Sequence, residues 1–575
     1  MKLWLSVCLA SLWCVAGSST LFAAVLAPED EAPSVADQRC IVPNLPKDGS
    51  VPLAAERQQQ RLIKEHQGKV IRAIKFRNVN VFDESNESEN NRVYRFLNRL
   101  HVHTRENVIQ SQLLFEVDDA LDAGTVAESE RLLRTRDYLA SARITLSQIC
   151  ADSVEVTVYV QDAWTTEPQI SFGHSGGETH SGFALSEGNV LGSGNSVAIG
   201  YRKDADRSGV SYYFSSPHFL NSRLGAQIGY RDNSDGKDSL IDIAYPFYSL
   251  RTPYSFGIKA EKTTQLEPIR YQGEVVEEYR HGIEAHEIYF GKALSITSDY
   301  THRMLLGFSK ERDVFNATID TIGSLPHDTN ILYPWLEYQY IENQFGLFRN
   351  IDQIQRIEDI PMGKEFSLRL GYGDGYWGND DEVWRYIGRY SDVLEIDAQH
   401  MLRFSAFADG TRYSDMEGIN TATAGGELSY YFFSDRNNRW FARLRYDRGR
   451  DLQPHEKLAV GGTVGVRGYP LDFQRGNQRY IFSLERRHFS DIHLFNLFRI
   501  GAVAFFDAGR AWGGDEDHGV QDNSPRHLSN IGLGLRISSS KARIGHIVHI
   551  DVAMPISERQ DADGVQWLIK AEQAF

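Results

Sequence analysis

The chain of 575 residues has few of the features that mark helical membrane proteins or nucleic-acid-binding proteins. Hydrophobic residues make up only 41% of it, which excludes a helical membrane protein with repeated apolar runs of about 20 residues. Basic residues are not in excess: 61 Lys and Arg stand against 77 Asp and Glu, a formal charge of −16. Because phosphate contacts demand a basic face, this balance argues against a nucleic-acid-binding function. What is plentiful is glycine (48), tyrosine (27) and phenylalanine (30), a composition that favours β structure.

The first 24 residues have the pattern of a secretory signal peptide. Met1 and Lys2 provide a short basic start, residues 3–22 are largely apolar, and Ala23 and Ala24 are small residues suited to cleavage. An uncleaved helix is the alternative, but the apolar run is short and is followed by an acidic, proline-rich stretch. The pattern therefore predicts an exported chain.

Cysteine is scarce, with four in the whole chain, and Cys8 and Cys14 fall inside the predicted signal peptide. The mature chain keeps Cys40 and Cys150. In an oxidising compartment an isolated pair of this kind usually forms a disulfide. Two buried, reduced thiols are the alternative. Two cysteines so far apart in the sequence indicate no metal site.

Residues 69–162 carry the signals of one small α+β domain. The pattern predicts a strand, two amphipathic helices and two further strands, at 70–82, 91–114, 125–139, 142–149 and 154–160. This order, β-α-α-β-β within about 90 residues, is enough for one small domain. Residues 25–68 are predicted to be a leader that contains one short helix.

From residue 163 onward, alternating segments of about ten residues run to the C-terminus. One face of these segments is apolar, as at Leu533 and Leu535, and the other carries glycines and charges, as at Gly534 and Arg536. A soluble β-sandwich also alternates, but a strongly charged face suits a water-filled lumen better. Aromatic residues gather near segment ends, where membrane interfaces favour them; examples are Trp335, Tyr430, Tyr431, Phe432, Phe433 and Trp567.

Strands in lipid must close into a barrel, because every backbone polar group has to be paired there. About 410 residues suit about 16 strands with their loops, whereas the alternating segments themselves count to about 19. We attribute the surplus to loops and turns. The sequence thus predicts a mainly β fold: a transmembrane antiparallel β-barrel of about 16 strands over 163–575, preceded by the α+β domain over 69–162, the leader over 25–68 and the signal peptide over 1–24. No cofactor is expected.

The last segment, 565–575, resembles the C-terminal signal by which outer-membrane barrels are recognised for assembly. Its Val565, Trp567 and Ile569 share one face, and the chain ends at the aromatic Phe575. After a signal peptide and a series of amphipathic strands, this ending predicts the outer membrane of a Gram-negative bacterium, with the N-terminal domain in the periplasm.

Between two strand-like segments lies LAVGGTVGVRGYP, residues 458–470. Its Val466, Arg467, Gly468 and Tyr469 resemble the VRGY/VRGF signature of the BamA/TamA superfamily of outer-membrane assembly and secretion proteins, which have the bacterial surface antigen type of barrel. Later segments agree with that family in their order: SLERRHF (483–489), AFFDAGRAW (504–512), IGLGLRI (531–537) and HIDVAMPI (549–556). The upstream α+β domain resembles a single POTRA domain, the periplasmic client-handling module of the family.

The resemblance implies a site inside the barrel. In the family the motif lies on a long loop folded back into the lumen, where its arginine pairs with an acidic residue of a nearby strand. Here the pair maps onto Arg467 and Asp507, with Glu485 as a second acidic candidate. A partly desolvated arginine–carboxylate pair can be bidentate and geometrically exacting. Gly501 and Gly509 share the face of Asp507 and leave room for an incoming loop.

The resemblance also implies a non-enzymatic function: the POTRA-like domain receives clients, and the barrel helps to insert them into the outer membrane or to move them across it. A client strand would enter at the seam between the first and last strands, marked here by Ile170, Trp567, Ile569 and Phe575. The implied partners are unfolded outer-membrane or secreted polypeptides, periplasmic chaperones or assembly lipoproteins, and outer-membrane lipids. A dedicated exporter and a passive pore plugged by the loop are the alternatives.

Two other patterns are assigned neither a catalytic nor a metal-binding function. Residues 173–177 match G-x-S-x-G, the nucleophile-elbow pattern, but that chemistry needs a helix directly after the serine. These residues stand between two strand-like segments, so we predict a hairpin turn and no enzyme. His101 and His103 alternate and could bind a metal, but the sequence shows no third ligand. We therefore predict ordinary histidines and no metal.

Overall fold

The structure, a computed structural model, describes residues 40–43, 53–175, 178–220, 222–414, 420–462, 464–513, 526–542, 547–558, 562 and 564–572. Among these residues, no helix is both long and apolar enough to cross a membrane.

Four α-helices and 27 strands make up the regular structure of the described residues. The helices are α1 (Leu53–Glu65), α2 (Arg92–Leu100), α3 (Glu106–Gln110) and α4 (Ala123–Arg134). The strands before the long antiparallel sheet are β1 (Val70–Val79), β2 (Leu139–Ile149) and β3 (Ser153–Asp162). The first half of the remaining strands is β4 (Thr166–Ser175), β5 (Glu178–Glu187), β6 (Ser196–Lys203), β7 (Ser208–Phe219), β8 (Leu224–Asn233), β9 (Gly236–Tyr245), β10 (Tyr254–Tyr271), β11 (Glu274–Ile296), β12 (Tyr300–Ala317), β13 (Thr329–Glu342), β14 (Phe345–Arg349) and β15 (Ile357–Pro361). The second half is β16 (Glu365–Gly373), β17 (Val383–Asp397), β18 (His400–Tyr413), β19 (Ala422–Phe433), β20 (Asn438–Arg450), β21 (Leu458–Val460), β22 (Gln474–Gly476), β23 (Gln478–Leu494), β24 (Phe498–Trp512), β25 (Leu528–Ser539), β26 (Ile547–Pro555) and β27 (Gln566–Glu572).

Residues 53–162, called the N-terminal domain below, form a three-stranded sheet with helices packed on it. The sheet order is β1-β3-β2, with β3 parallel to β1 and antiparallel to β2. Asp122 caps the start of helix α4: its side chain accepts a hydrogen bond from the backbone N–H of Thr125 at 2.7 Å, the usual way to satisfy a free N–H at a helix start. Helix α1 lies in the segment predicted as a leader, yet its Ile63 is buried in the core of this domain.

A disulfide joins Cys40 to Cys150, which are 110 residues apart in the sequence. Next to it, the backbone N–H of Ile41 donates to the carbonyl of Ile149 at 2.8 Å, and the N–H of Ile149 donates back at 2.9 Å. The disulfide therefore fastens residues before α1 to the end of β2.

We expect removal of this disulfide to destabilise the N-terminal domain. In the chain-entropy model a loop of about 100 residues is worth up to about 4.7 kcal/mol, although measured values are typically about 2–4 kcal/mol. The double variant Cys40→Ser/Cys150→Ser should lower the urea midpoint of this domain while the barrel keeps its own transition. Two free thiols in the unfolded, unreduced wild-type chain would contradict the disulfide.

The remaining chain forms a closed antiparallel barrel of 20 strands among the described residues, with β27 beside β4. The predicted β-barrel is therefore confirmed, but the predicted number of about 16 strands is wrong. The reason lies in the short turns, since only two residues connect β8 to β9, β10 to β11, and β17 to β18. Four strands lie outside the wall, in two small hairpins, β14–β15 and β21–β22.

The outer face of the barrel is apolar. Register places Phe290, Leu306, Leu336 and Leu370 side by side across four neighbouring strands. All four side chains are about half exposed, at 46%, 54%, 49% and 48%. Apolar rows of this kind on a closed barrel are what a lipid bilayer requires of the strands that cross it. The barrel is accordingly of the transmembrane type.

The inner face is polar and ion-paired. Arg369 lies between two carboxylates, with Nη1 2.6 Å from Glu287 and Nε 2.7 Å from Glu337. Its guanidinium also stacks over Trp335, 3.7 Å from the ring centroid. Trp335 was predicted to lie at a membrane interface, and that prediction is wrong: the side chain is buried in the lumen, because it shares the inward face with Glu337.

The N-terminal domain lies at one end of the barrel, called the near mouth; the opposite end is the far mouth. The ammonium of Lys541, in the turn after β25, is 2.8 Å from the carboxylate of Glu89. Arg251, in the turn after β9, is 2.8 Å from Asp122. The chain enters the barrel beside the same turn, because the N–H of Trp164 donates to the carbonyl of Lys541 at 2.7 Å.

Candidate functional site

Residues 451–477, between β20 and β23, are called the lumen loop. They leave and rejoin the wall at the far mouth and fold inward, where β21 and β22 form a small hairpin. The loop packs an apolar cluster against the inner wall: Val460, Val466, Tyr469 and Phe473 are buried with Ile481, Ala511 and Leu528 of β23, β24 and β25. The VRGY motif thus lies inside the barrel.

Arg467 is held by carboxylates from two neighbouring strands. Its Nε and Nη2 each donate to Asp507 at 2.8 Å, a bidentate arrangement. Its Nη2 also donates to Glu485 at 2.9 Å. The Asp507 side chain is fully buried, and that of Glu485 is 9% exposed. The structure therefore brings together the three residues that the sequence proposed as a group.

Three further partners of Arg467 were not expected from the sequence. The first is a third carboxylate, that of the fully buried Asp551 on β26, which accepts from Nη1 at 3.5 Å. The guanidinium of Arg467 lies over the ring of Phe505, 3.5 Å from the centroid, a favourable cation–π arrangement. With its amide oriented to satisfy both sides, Asn530 accepts from the backbone N–H groups of Arg467 and Gly468 at 3.0 and 3.2 Å. All three residues could have been found by following the inward face of β24 and the equivalent faces of β25 and β26.

The neighbours of the motif arginine fix the rest of the loop. Tyr469 is fully buried, and its hydroxyl donates to the carbonyl of Ser557 at 2.7 Å. Gly465 has φ +81°, a left-handed conformation, and a Cβ there would meet Ile481 at 2.6 Å. A Cβ at Gly509 would meet Val466 at 2.8 Å. These two glycines give the loop the space that it needs against the wall.

Residues 343–364, called the near-mouth hairpin, enter the barrel from the opposite end. They connect β13 to β16 and contain β14 and β15. Ile354 at the tip of the hairpin is 2% exposed and belongs to an apolar cluster with Phe489, Val503 and Phe505 of the inner wall. Phe505 is the ring on which Arg467 lies. The two inward segments therefore reach the same part of the lumen from the two mouths.

A hydrogen-bonded chain connects the two segments. Arg487 on β23 donates from Nε to Glu485 at 2.8 Å and from Nη1 to the carbonyl of Ile351 in the hairpin at 3.5 Å. Glu485 in turn accepts from Arg467. Arg487 was not singled out in the sequence, although it stands two residues from Glu485 and therefore on the same inward face.

The near-mouth hairpin is also tied to the N-terminal domain. Arg134 of α4 donates from Nη1 to Asp359 of the hairpin at 3.1 Å, and from Nη2 to Glu56 at 2.5 Å. Arg131, one turn earlier, lies over the ring of Phe345 at 3.9 Å. The hairpin is therefore held between the domain and the lumen.

The predicted seam strands, β4 and β27, are neighbours in the closed barrel. Outside the wall, Phe172 and Trp567 stack with ring centroids 6.1 Å apart. The Ile569 side chain is half-buried. Ile170 lies on β4, but its side chain and the terminal Phe575 are outside the described residues.

His101, His103 and Asp162 form a polar cluster in the N-terminal domain. Nε2 of His101 and Nδ1 of His103 are each 3.1 Å from Oδ2 of Asp162, which also accepts from the N–H of Thr104 at 3.2 Å. Burial by itself raises the pKa of the Asp162 carboxyl, but these hydrogen bonds outweigh it and lower the pKa to about 2. The hydrogen bond between His103 and Asp162 raises the pKa of His103. The folded chain supplies the third polar group that the sequence did not show.

Residues 173–175 of the G-x-S-x-G pattern end β4, which pairs antiparallel with β5, from Thr166 opposite Glu187 to Ser175 opposite Glu178. A strand therefore follows the serine where a nucleophile elbow would need a helix. Residues 176–177 lie outside the described residues.

The fold and the site define a class: a closed transmembrane barrel with an arginine-clamped loop in its lumen and a small α+β domain at one mouth. No family model and no curated protein matches the chain. Solved structures similar to it include CdiB from Acinetobacter baumannii, with a TM-score of 0.42 and 11% identity over 89% of this chain and 74% of that one. CdiB from Escherichia coli has a TM-score of 0.36 and 11% identity, covering 91% of this chain and 98% of that one.

BamA from Haemophilus ducreyi lacking POTRA domains 1–3 has a TM-score of 0.35 and 12% identity, covering 88% of this chain and 84% of that one. At these identities and TM-scores, function has to be argued from the chain's own residues.

Proposed function

We propose that this protein is an outer-membrane barrel of a Gram-negative bacterium that assists the insertion of polypeptides into the outer membrane or their translocation across it. The N-terminal domain is POTRA-like, faces the periplasm and receives unfolded clients. The observation that carries the proposal is the lumen loop, held by Arg467 on Asp507 and Glu485 inside a barrel whose near mouth bears that domain.

A permanently open pore is disfavoured by what fills the lumen. The lumen loop enters from the far mouth and the near-mouth hairpin enters from the near mouth. Phe505 lies under Arg467 of the loop and shares an apolar cluster with Ile354 of the hairpin. A resting state closed from both sides suits a barrel that opens only when a client is engaged.

The seam brings the first and last strands of the wall, β4 and β27, side by side, which supports entry of a client strand there. If these two strands part, each offers an edge to which a client strand can add through backbone hydrogen bonds.

In-cell photo-crosslinking at the seam tests the proposal. A photoreactive residue replaces Ile170 or Ile569, one on each seam strand, and the control probe replaces Leu336, which is outward-facing and 49% exposed on β13. Strand β13 is the tenth wall strand counted from β4 and lies opposite the seam. We expect adducts to newly made barrel proteins at the seam probes and none at Leu336. Equal labelling at all three sites, or none at the seam in folded protein, would contradict insertase function.

A dedicated exporter is the second candidate, and the near-mouth hairpin favours it. Its contact with Arg134 places this lumen segment directly under the N-terminal domain, so a client bound by the domain could displace it. Adducts to one secreted polypeptide, found at probes in the lumen as well as at the seam, would select the exporter.

A further inference from the structure

We infer that His101, His103 and Asp162 form a binding site for a divalent transition-metal ion, with Zn²⁺ the best fit, at the junction between the N-terminal domain and the barrel. This site goes beyond the proposed function.

The geometry is close to that of a zinc site. One ligand atom from each residue lies within 4.8 Å of the other two. The two contacts to Asp162 are 3.1 Å long. Bonds of about 2.0–2.1 Å in a tetrahedral zinc site place neighbouring ligand atoms about 3.4 Å apart. Two of the three ligand separations therefore already approach the required value, and the third, between the two histidine nitrogens, is at most 4.8 Å, so that any remaining adjustment is small.

The side chains differ in their freedom to make that adjustment. The side chain of His101 is 3% exposed and that of Asp162 is fully buried, whereas that of His103 is 51% exposed. His103 can rotate towards the other two without disturbing the core. Its exposure also leaves a fourth coordination position open to water.

A second observation points to a ligand. Oδ1 of Asp162, the other oxygen of the same carboxylate, is buried and makes no hydrogen bond. Buried polar atoms without a partner are uncommon and destabilising. A metal ion at the centre of the cluster would compensate the charge of this carboxylate, either through Oδ2 alone or through both oxygens.

The donor set narrows the choice of ion. Two imidazole nitrogens and one carboxylate oxygen are typical ligands of zinc. Calcium and magnesium take oxygen ligands instead. The chemistry therefore favours zinc or a neighbouring transition ion over the hard cations.

The position of the cluster gives the ion a structural consequence. Asp162 ends β3, and the seam strand β4 begins only four residues later, at Thr166. Thr104, which donates to Asp162, accepts in turn from Asn189 of the turn between β5 and β6 at 2.8 Å. A bound ion would fasten the end of β3 to the segment that carries His101 and His103, directly before the chain enters the seam strand.

Zinc titration of the full-length chain in detergent tests the inference. The purified protein is freed of metal with a chelator and titrated with Zn²⁺ alone in a calorimeter. We expect one saturable site per chain. Loss of a supporting residue outside the ligand shell typically weakens metal binding about 10- to 100-fold, so loss of the ligand in His103→Ala should weaken it at least about tenfold.

His66→Ala is the matched control, because His66 is in the same domain and outside the cluster; it should bind Zn²⁺ like the wild type. Asp162→Asn provides a second ligand variant, and heat-dependent gel mobility shows whether each barrel is folded. Wild-type protein without a saturable site would overturn the inference. So would a folded His103→Ala variant that binds Zn²⁺ with wild-type affinity, since the cluster would then be held by hydrogen bonds alone.

Discussion

Arg467→Ala should release the lumen loop and destabilise the barrel by about 3–5 kcal/mol, the usual cost of removing one partner from a buried ion pair. The cost arises mainly at Asp507, which is fully buried and loses two hydrogen bonds of 2.8 Å. Glu485 still keeps Arg487 as a partner. The urea midpoint of the barrel in detergent measures the loss, and chymotrypsin cleavage after Phe473 reports the released loop.

A second substitution tests whether the lost stability comes from the unpaired charge of Asp507 or from a general disturbance of the fold. Asp507→Asn removes the stranded charge, so the double variant Arg467→Ala/Asp507→Asn should be more stable than Arg467→Ala alone. Arg450→Ala is the matched control: its side chain is 80% exposed beside Asp451, and exposed pairs are worth about 0–1 kcal/mol. Two outcomes would show that the ion pair of Arg467 with Asp507 does not hold the loop. One is a stability loss in Arg450→Ala equal to that in Arg467→Ala, and the other is a double variant less stable than Arg467→Ala.

The ion-paired group of Arg467, Asp507 and Glu485 could be proposed from the sequence because its two carboxylates lie on regular elements. Asp507 and Glu485 belong to strands, where period-2 alternation assigns each side chain to a face. The VRGY motif identified Arg467. The barrel was predictable for the same reason, whereas the strand number depended on turn lengths, which alternation does not determine.

The near-mouth hairpin was not predictable in the same way. The segments at Phe345–Arg349 and Ile357–Pro361 are FGLFR and IEDIP. They do not alternate strictly, and so short a pattern does not show whether a segment joins the wall or leaves it. The prediction for Trp335 was wrong for a related reason. An aromatic residue near a strand end suits either a membrane interface or a contact with a cation in the lumen, and the two are distinguished only by whether the side chain faces outward or inward. The cluster at Asp162 needed the fold, since the residues meet across 59 or more positions of sequence.

Replacing residues 345–361 with a short Gly-Ser linker should raise the ion conductance of the barrel in planar bilayers several-fold. Removal takes Ile354 from its cluster with Phe505 and frees Arg487 from the carbonyl of Ile351. Because Arg487 also supports Glu485, the lumen loop should loosen too, and chymotrypsin should cleave it more readily than in the wild type. The hairpin is thereby expected to act on both mouths.

The control is the same linker in place of residues 318–328, an exposed far-mouth connection between β12 and β13. That variant should conduct like the wild type. Arg487→Gln distinguishes coupling from simple unplugging, because it breaks the bridge between hairpin and loop and leaves both segments in the chain. If the bridge couples them, Arg487→Gln alone makes the lumen loop easier to cleave. Unchanged cleavage, with a conducting linker variant, would mean that the two segments close the lumen independently.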